Sequence, residues 1–475
     1  MQFSQYLPIK ATPYRHQVDA FVFANKILGY VDNYSAVSKG VAILAEMGTG
    51  KTLITIALAG ALFNNGKIKK MLIVAPLSIV PVWKEEFDKF ADFDYHLEIL
   101  EGNSKKKEDT LHNLFGTKLQ VAVVNYESCW RLEEELAKWQ PDLIVCDESS
   151  KIKNPQAKQS KALHRLGKKS KHNIILTGTP VTNNPLDFFS QYKFLDENIF
   201  GSSYYSFRAR YAILGGYGNY KVVGYKNLPE LVEKAHSIAY RITKKEALDL
   251  PEQIDTIRYV ALEPIAMQYY RQIERDSYAE LEQGEVITRN VLTKLLRLSQ
   301  VAGGFIKFEN DDETHGVSTA KLDALEEIID ECLDADKKLV VFVRFIAEID
   351  AIERLLKKRK IGYSLIKGEV VDRAEQVSKF QNNKDIKIFV GQIQTTGMGL
   401  TLTAADTAVF FSLDYNFSNY EQAKARIHRI GQKNNCTYIH LIAQKTIDEK
   451  VLDALKKKKS IADLVVDNWR SLFNK

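Results

Sequence analysis

The chain has 475 residues with a net charge of +6, of which 45% are hydrophobic and 27% are charged. This is the composition of a globular protein of two or three domains, at about one domain per 150 residues. No apolar run is long enough to span a bilayer, and residues 1–10 lack the features of a signal peptide, so a cytoplasmic protein without a membrane partner is expected. The four cysteines are far apart, which predicts buried reduced thiols and not a zinc site.

Two blocks of the chain alternate short Val/Ile/Leu runs with charged segments of helical length. This alternation predicts an α/β fold with two parallel sheets, each covered by helices on both faces. Between the blocks, helical periodicity and a glycine- and tyrosine-rich segment (215–225) predict helical insertions with a hairpin or loop. The predicted strands are 41–44, 71–75, 121–125, 143–146 and 174–176 in the first block, and 339–343, 363–366, 386–390, 408–411 and 438–442 in the second.

A glycine-rich loop follows the first predicted strand and precedes a helix-compatible stretch. In this context the backbone N–H groups of Gly48, Thr49 and Gly50 are expected to cradle the phosphates of a nucleotide. Lys51 would contact the terminal phosphates, and the Thr52 hydroxyl would bind a magnesium ion. The loop therefore predicts binding of ATP with magnesium.

An acidic pair ends the predicted strand 143–146. Adjacent carboxylates at the end of a strand point to opposite sides, so Asp147 suits the magnesium ion and Glu148 suits the attacking water. Alone, the pair is also typical of an acidic turn after a core strand. With the phosphate loop upstream, it predicts hydrolysis of a nucleoside triphosphate.

A basic run follows the acidic pair directly. Residues 151–171 hold eight Lys or Arg residues and no acid. Such runs are usually solvated faces. Because of its place, this run is also a candidate surface for a phosphate backbone, with Lys153, Lys158 and Lys161 as candidate DNA contacts.

Further segments resemble, in order, the helicase-like motifs of superfamily two, and in detail those of the Swi/Snf-type double-stranded DNA translocases. The resemblance covers residue 13 to about residue 466. The segments are PYRHQ (13–17), LIVAPLS (72–78) with WKEEF (83–87), LTGTP (176–180), 338–345, TTGMGL (395–400), QAKARIHRIGQ (422–432), a linker at 241–251 and a C-terminal helix from 446.

The resemblance implies two tandem RecA-like lobes with helical insertions between them and a C-terminal brace helix. The implied bounds are 1–195 for the ATP-binding lobe, 196–320 for the insertions and linker, and 321–475 for the second lobe. It also implies roles for individual residues. Gln17 would read the adenine edge, Gly399 and Gln422 would contact the nucleotide, and Ser78, Thr179 and Thr395 would contact DNA.

Two arginines carry the most specific of these motifs. Arg426 and Arg429 lie three residues apart, which predicts one face of a helix, from which they would reach the ATP phosphates across the gap between the lobes. A basic amphipathic helix with a glycine C-cap at Gly431 is the alternative. The chain departs from the family at Ser149-Ser150, where Ala-His is usual, so the histidine link from the metal site is expected to be weaker or made by a hydroxyl.

The predicted function is an ATP-dependent double-stranded DNA translocase that hydrolyses ATP at the interface of the lobes, moves along or remodels DNA and displaces bound proteins. Strand annealing, branch migration or fork remodelling on forked or junction DNA is the first alternative. A DNA-binding scaffold with vestigial hydrolysis is the second. The chain is expected to be a compact monomeric motor in a bacterial or phage-infected cytoplasm, with targeting supplied by DNA structure or by a partner protein.

Overall fold

A computed structural model describes residues 7–31, 34–216, 218, 221–282, 288–307, 313–368, 372–396, 400–462 and 466. The chain divides into two compact units. The first unit comprises Met1–Asp249 and Lys458–Lys475, and the second comprises Leu250–Lys457. The border at Asp249 and Leu250 lies inside the range 196–320 that the sequence assigned to insertions and linker.

The first unit is built on a parallel sheet, seven-stranded in the described part of the chain. Its strand order is β3-β4-β2-β5-β6-β1-β9. The five predicted strands form its centre, because strands buried on both faces read as continuous apolar runs. The edge strands β3 and β9 were not predicted, since most of their residues are only half-buried. The strands are β1 (Gly40–Ala45), β2 (Lys70–Ala75), β3 (Tyr95–Ile99), β4 (Leu119–Asn125), β5 (Leu143–Asp147), β6 (His172–Leu176) and β9 (Ala239–Ile242).

Helices surround this sheet, and a two-stranded hairpin of β7 (Ala212–Gly215) and β8 (Lys221–Tyr225) extends from the unit. Helix α2 is apolar on every side and is buried from Leu53 to Leu62, which places it against the sheet centre. The helices are α1 (Arg15–Ile27), α2 (Lys51–Asn64), α3 (Val80–Phe90), α4 (Ser104–His112), α5 (Tyr126–Arg131), α6 (Glu133–Trp139), α7 (Lys158–Lys169), α8 (Phe188–Leu195), α9 (Glu197–Phe200), α10 (Tyr204–Tyr211), α11 (Leu228–His236) and α12 (Lys244–Ala247), with 3₁₀ turns at Ser149–Ile152 and Pro185–Asp187.

The second unit has a parallel sheet of its own, six-stranded among the described residues, in the order β10-β17-β16-β13-β15-β14. The prediction of an α/β fold with two parallel sheets is thus confirmed. The strands are β10 (Gln253–Val260), β13 (Leu339–Val343), β14 (Gly362–Ile366), β15 (Ile386–Gln392), β16 (Thr407–Phe410) and β17 (Cys436–Ala443), with a small hairpin of β11 (Phe305–Lys307) and β12 (Thr314–Gly316). The helices are α13 (Pro264–Glu282), α14 (Thr288–Ala302), α15 (Ala320–Asp334), α16 (Ile346–Lys358), α17 (Arg373–Asn382), α18 (Ile393–Thr396), α19 (Phe417–Lys424) and α20 (Ile447–Ala462).

The arginine motif differs from its prediction. Helix α19 ends at Lys424, so Arg426 and Arg429 lie in the turns that follow, and the prediction of one helical face is wrong. The Lys424 carbonyl accepts a hydrogen bond from the Tyr438 hydroxyl at 2.7 Å, and the Arg426 carbonyl accepts one from the Leu402 N–H at 3.0 Å. The Arg426 carbonyl is thus taken by a tertiary partner, whereas the Lys424 carbonyl also keeps a helix-like bond from the His428 N–H at 3.4 Å. Gly431 has a φ of 99° but lies beyond the helix end and does not cap it.

The prediction of buried reduced thiols is met in the described residues. No helix there combines the length and the apolar character that crossing a membrane requires. All four cysteines are buried free thiols, as predicted.

The side chain of His172, at the start of β6, is expected to make the stability of the first unit depend on pH. Its Nε2 lies 2.7 Å from the Tyr30 hydroxyl, and burial lowers its pKa to about 4. The unfolded chain binds a proton at about pH 6.5, so the stability contributed by neutral His172 is present above that pH and is lost as pH falls from about 6.5 towards 4. In His172→Gln, the fall in unfolding temperature between pH 7 and pH 5 should be smaller than in wild type. The control is His96→Gln, at a half-exposed side chain, and an unchanged fall in His172→Gln contradicts the prediction.

Candidate active site

Three loops of the first unit meet at one edge of its sheet. Strands β5, β6 and β1 are neighbours and run parallel, so the segments after their carboxyl ends lie side by side. These segments are the acidic loop (residues 147–153), the β6 loop (residues 177–183) and the phosphate loop (residues 46–50). The β6 loop lies between the other two, because β6 lies between β5 and β1.

The phosphate loop has the backbone that its glycines predict. Gly48 and Gly50 have φ values of 85° and 90°, in the left-handed region that favours glycine. A Cβ on Gly50 would lie 2.1 Å from Nε2 of Gln17. Helix α2 begins at the next residue, so its free N–H groups face the loop. The cradle therefore fits a nucleotide phosphate.

Helix α1 holds this loop from the side. Nε2 of Gln17 donates to the Thr49 carbonyl at 3.2 Å, and Nε2 of His16 lies 2.8 Å from the same oxygen. Because a carbonyl only accepts, Nε2 of His16 carries its proton. The Tyr14 N–H donates to Oε1 of Gln17 at 2.9 Å. The amide predicted to read adenine is thus bonded to the phosphate loop, and its role towards adenine stays a prediction.

Lys51, the first residue of α2, is half-buried and reaches back to the start of the same loop. Its Nζ donates to the carbonyls of Ala45 at 2.9 Å and Glu46 at 3.4 Å. Burial lowers the pKa of the ammonium, while the Glu148 and Asp147 carboxylates oppose that shift. These carbonyls are partners that a phosphate oxygen would replace, since a charge-assisted bond to phosphate is the stronger one.

Asp147 is oriented by three donors. The Trp83 indole N–H donates to Oδ2 at 3.1 Å, the Glu148 N–H donates to Oδ1 at 2.9 Å, and the Tyr126 hydroxyl donates to the Asp147 carbonyl at 2.7 Å. Burial raises the pKa of Asp147, and the adjacent Glu148 carboxylate raises it further. Sequence reasoning placed Trp83 in a segment that contacts DNA. In the structure the indole is buried and holds the proposed metal ligand.

The oxygen donors here suit magnesium. Asp147 offers a carboxylate and Thr52, at the start of α2, a hydroxyl, which are the hard ligands that Mg²⁺ prefers. Within the described ranges, no group of three or more His, Cys, Asp or Glu side chains could hold a metal by itself. Mg²⁺ at nucleotide sites is usually bound by one or two protein groups together with phosphates, so the site fits a nucleotide-borne ion.

The β6 loop is tied to the phosphate loop. A Cβ on Gly178 would lie 3.2 Å from the Glu46 Cα, so the two backbones are in close contact. Nη1 of Arg241, on β9, donates to the carbonyls of Gly178 at 3.2 Å and Leu44 at 3.0 Å. Nη2 of Arg241 pairs with Glu46 at 3.3 Å. Sequence reasoning assigned Arg241 only to a linker and missed this clamp.

The β6 loop is tied to the acidic loop as well. The Ser149 hydroxyl donates to Oε1 of Gln191 at 2.7 Å, and Nε2 of Gln191 donates to the Pro180 carbonyl at 2.7 Å. A hydroxyl therefore links the acidic loop to Gln191, whereas a hydroxyl link from the metal site to Gly178 and Gln422 stays a prediction. Gln191 itself was missed, although an amide within the apolar stretch 188–195 was a visible signal.

The predicted DNA contacts of the first unit have different environments. Nζ of Lys153 donates to the Thr182 hydroxyl, and burial lowers the pKa of this ammonium. Nζ of Lys158 lies 4.7 Å from the centre of the Trp130 ring, and Lys161 is exposed.

Three other members of the basic run pair with acids outside it: Arg165 with Glu133, Lys168 with Glu197 and Lys171 with Asp142. Ser78 and Thr179 are half-buried in the loops after β2 and β6. Contact of these residues with DNA stays a prediction.

The segment that carries the two predicted arginines (residues 422–432), here called the arginine segment, is hydrogen-bonded to residues 400 and 401 of the second unit. Arg426 is 1% exposed and donates from Nη1 to the Leu400 carbonyl at 3.3 Å, while Nη1 of Arg429 donates to the Thr401 hydroxyl at 3.0 Å. Nε2 of Gln422 donates to the Ser418 hydroxyl at 3.4 Å. Thr395 belongs to α18, and Gly399 lies outside the described residues.

A histidine inside this segment contacts the start of β10. Nε2 of His428 lies 2.8 Å from the Pro251 carbonyl, and Nδ1 lies 2.8 Å from Nε2 of Gln253. Nε2 is therefore the donor, and Nδ1 accepts from the Gln253 amide. The sequence indicated no role for His428.

Comparison with known proteins assigns both halves of the chain to families. The SNF2-related domain matches residues 30–303, and the helicase conserved C-terminal domain matches residues 320–431. A "DNA repair and recombination protein RAD54-like" of Drosophila persimilis is 28% identical over 91% of this chain and 61% of its own length. An uncharacterized ATP-dependent helicase of Mycoplasma genitalium is 27% identical over 88% of this chain and 39% of its own. The chain thus spans less than two thirds of either relative.

Among solved structures, the Sulfolobus solfataricus SWI2/SNF2 ATPase core in complex with dsDNA is 27% identical to this chain. It covers 98% of this chain and 95% of its own, with a TM-score of 0.46. The SNF2-related match alone covers more than half of the 475 residues. The chain belongs to the SNF2-related family, the Swi/Snf type of DNA-dependent ATPases in helicase superfamily two.

Proposed function

We propose that the protein is an ATP-driven motor that moves along or remodels double-stranded DNA and displaces proteins bound to it. The observation that carries this proposal is the meeting of the phosphate loop, the β6 loop and the acidic loop at one sheet edge. It brings Lys51, Asp147 and Glu148 close enough for their charges to act on one another. The name of the Drosophila relative, which refers to DNA repair and recombination, supports DNA as the partner.

Each residue has a defined task in this proposal. Lys51 neutralises charge on the terminal phosphates, and Asp147 with Thr52 holds magnesium, which supplies charge stabilisation at the phosphates when bound. Glu148 orients the attacking water and accepts its proton. Arg429, in the second unit, would add positive charge at the transferring phosphoryl group, a role that the resemblance of its motif implies.

Fork remodelling is the second candidate. The predicted hairpin is present as β7 and β8, and it exposes Ile213 and Val223. Apolar side chains can insert between base steps. Of the tyrosines in the segment 215–225, Tyr225 is half-buried in β8, and Tyr217 and Tyr220 lie outside the described residues.

The vestigial scaffold finds less support. A chain that no longer hydrolysed ATP would have no need to hold Asp147 with three donors or to bind the Lys51 ammonium to the Ala45 carbonyl.

The test compares ATP turnover without nucleic acid and with linear duplex, single strands, forked DNA or RNA. Linear duplex should stimulate turnover most strongly, because the proposed motor follows an intact double helix. The response should fall with salt, since phosphate contacts release counterions. A marked preference for forks would instead support the remodelling candidate. Absence of turnover under every condition would support the scaffold.

A further inference from the structure

A buried hydrogen-bonded chain joins the acidic loop to the β6 loop in the first unit. Ser149 follows Glu148 directly, and its hydroxyl donates to Oε1 of Gln191 at 2.7 Å. Nε2 of Gln191 donates to the carbonyls of Pro180 at 2.7 Å and Asp187 at 2.8 Å. Ser149 and Gln191 are both 0% exposed. Because carbonyls only accept, both N–H bonds of the amide are committed and its oxygen must face Ser149.

The series of hydrogen bonds through Ser149 and Gln191 begins beside a strained backbone position. Glu148 has a φ of 52°, a left-handed conformation that a residue with a side chain adopts only when its surroundings impose it. On one side, the Glu148 N–H is held by Oδ1 of Asp147 at 2.9 Å. On the other side, the next residue is held by Gln191. The direction of the Glu148 side chain therefore depends on the Gln191 amide.

The same segment of chain also holds the β6 loop. Oδ2 of Asp187, four residues before Gln191, accepts from the N–H groups of Thr182 at 2.9 Å and Asn183 at 2.8 Å. The Thr182 hydroxyl in turn accepts from Lys153 of the acidic loop. The two loops are thus joined twice, once through Gln191 and once through Lys153. A displacement of the β6 loop is expected to move the acidic loop with it.

We propose that Gln191 is a positioning residue for ATP hydrolysis, which transmits the position of the β6 loop to Glu148. The β6 loop carries Thr179, a predicted DNA contact, so DNA bound at this loop would set the orientation of the carboxylate that activates water. The inference rests on the proposed function, because it assumes that DNA stimulates turnover. Gln191 acts through Ser149 and through Pro180.

The test removes both ends of the buried bond with Ser149→Ala and Gln191→Leu in one chain. Removal of both partners avoids a buried hydroxyl or amide left without its counterpart. Steady-state turnover is measured against ATP concentration, with and without linear duplex, and unfolding temperature is measured beside it. The kcat with duplex should fall about 10- to 100-fold, since a small misplacement of a catalytic group has an effect of this size. The KM for ATP should stay within about twofold, because Lys51 and the phosphate loop are untouched.

Ser160→Ala is the matched control. Ser160 is also 0% exposed, and its hydroxyl donates to the Ile152 carbonyl at 3.2 Å, in the same 3₁₀ turn as Ser149. Among the described residues, the Ser160 hydroxyl makes no hydrogen bond to the β6 loop. The Ser160→Ala variant should therefore keep the wild-type kcat with duplex. An equal fall in Ser160→Ala would show general loosening of the turn and would overturn the proposal. So would wild-type kcat in the double variant, or a raised KM at unchanged kcat.

A single variant and the kcat without DNA separate failure of this proposal from failure to fold and from failure of the proposed function. Should the double variant fail to fold, Ser149→Ala alone leaves the bonds of Gln191 to Pro180 and Asp187 intact. It should show a smaller fall in kcat at the same KM, and an unchanged kcat would overturn the proposal. If the wild type is not stimulated by duplex, the proposed function fails. The kcat of variant and wild type without DNA then decides on Gln191 alone, and equal values count against it.

Discussion

Replacement of Glu148 by glutamine is expected to lower ATP turnover about 100- to 10,000-fold, the usual contribution of a general base. The amide has the shape of the carboxylate but accepts no proton from water. Binding of ATP should persist, because Lys51 and Asp147 are unchanged. Hydrolysis and the binding of a fluorescent ATP analogue are measured on the same preparation.

The control for this variant is Glu134→Gln, at an exposed position on α6 of the same unit. It removes one negative charge far from the acidic loop in sequence and should leave turnover unchanged. Normal turnover in Glu148→Gln would assign water activation to another group. Loss of nucleotide binding in the same variant would show that Glu148 supports the site and not the chemical step.

Replacement of Lys321 by methionine is expected to destabilise the second unit by about 3–5 kcal/mol, the range found when one partner of a buried ion pair is removed. Nζ of Lys321 lies 2.6 Å from Asp448, with side chains 2% and 8% exposed. Nζ also donates to the Phe411 carbonyl at 2.9 Å, so the ammonium joins α15, α20 and the end of β16. The variant leaves the Asp448 carboxylate buried without its cation.

Hydrogen exchange in the intact chain measures this effect locally. Amides of α20 near Asp448 and of β16 near Phe411 should exchange faster in Lys321→Met. Addition of Asp448→Leu should recover part of the loss, since it removes the unpaired carboxylate, but the Ala443 N–H then loses its acceptor at 3.1 Å. The control is Lys379→Met, which removes a half-exposed pair with Glu375 at 2.6 Å and should cost less than about 1 kcal/mol. Equal protection in Lys321→Met and wild type would show that the pair contributes no net stability.

The contacts around Asp147 and Glu46 show how the site depends on residues outside its motifs. Trp83 reaches Asp147 across 64 positions of sequence, and Arg241 reaches Glu46 across 195. The two contacts also act on pKa values: burial raises the pKa of Asp147 and the Trp83 bond opposes this rise, while burial and the Arg241 charge both lower the pKa of Lys51. Both contacts restrict where those groups can lie, which is how the environment of a site sets its rate.

The sequence by itself determined the fold class, ten strands of the two parallel sheets and the phosphate loop. Strands buried on both faces are continuous apolar runs, and a left-handed turn before a helix favours glycine. Each of these patterns lies within a few neighbouring residues and can therefore be recognised in the sequence. Asp147 and Glu148 could be assigned for the same reason, because they end such a run.

Only the tertiary structure decided which side chains meet. The periodicity that suggested a helix through Arg426 and Arg429 reports local spacing, whereas the helix ends at Lys424 and the Leu402 N–H takes the Arg426 carbonyl. The link between Ser149 and Gln191 joins residues 42 positions apart. Hydrogen bonds between distant segments depend on how the strands are ordered in the sheet, and that order leaves no periodic trace in the sequence.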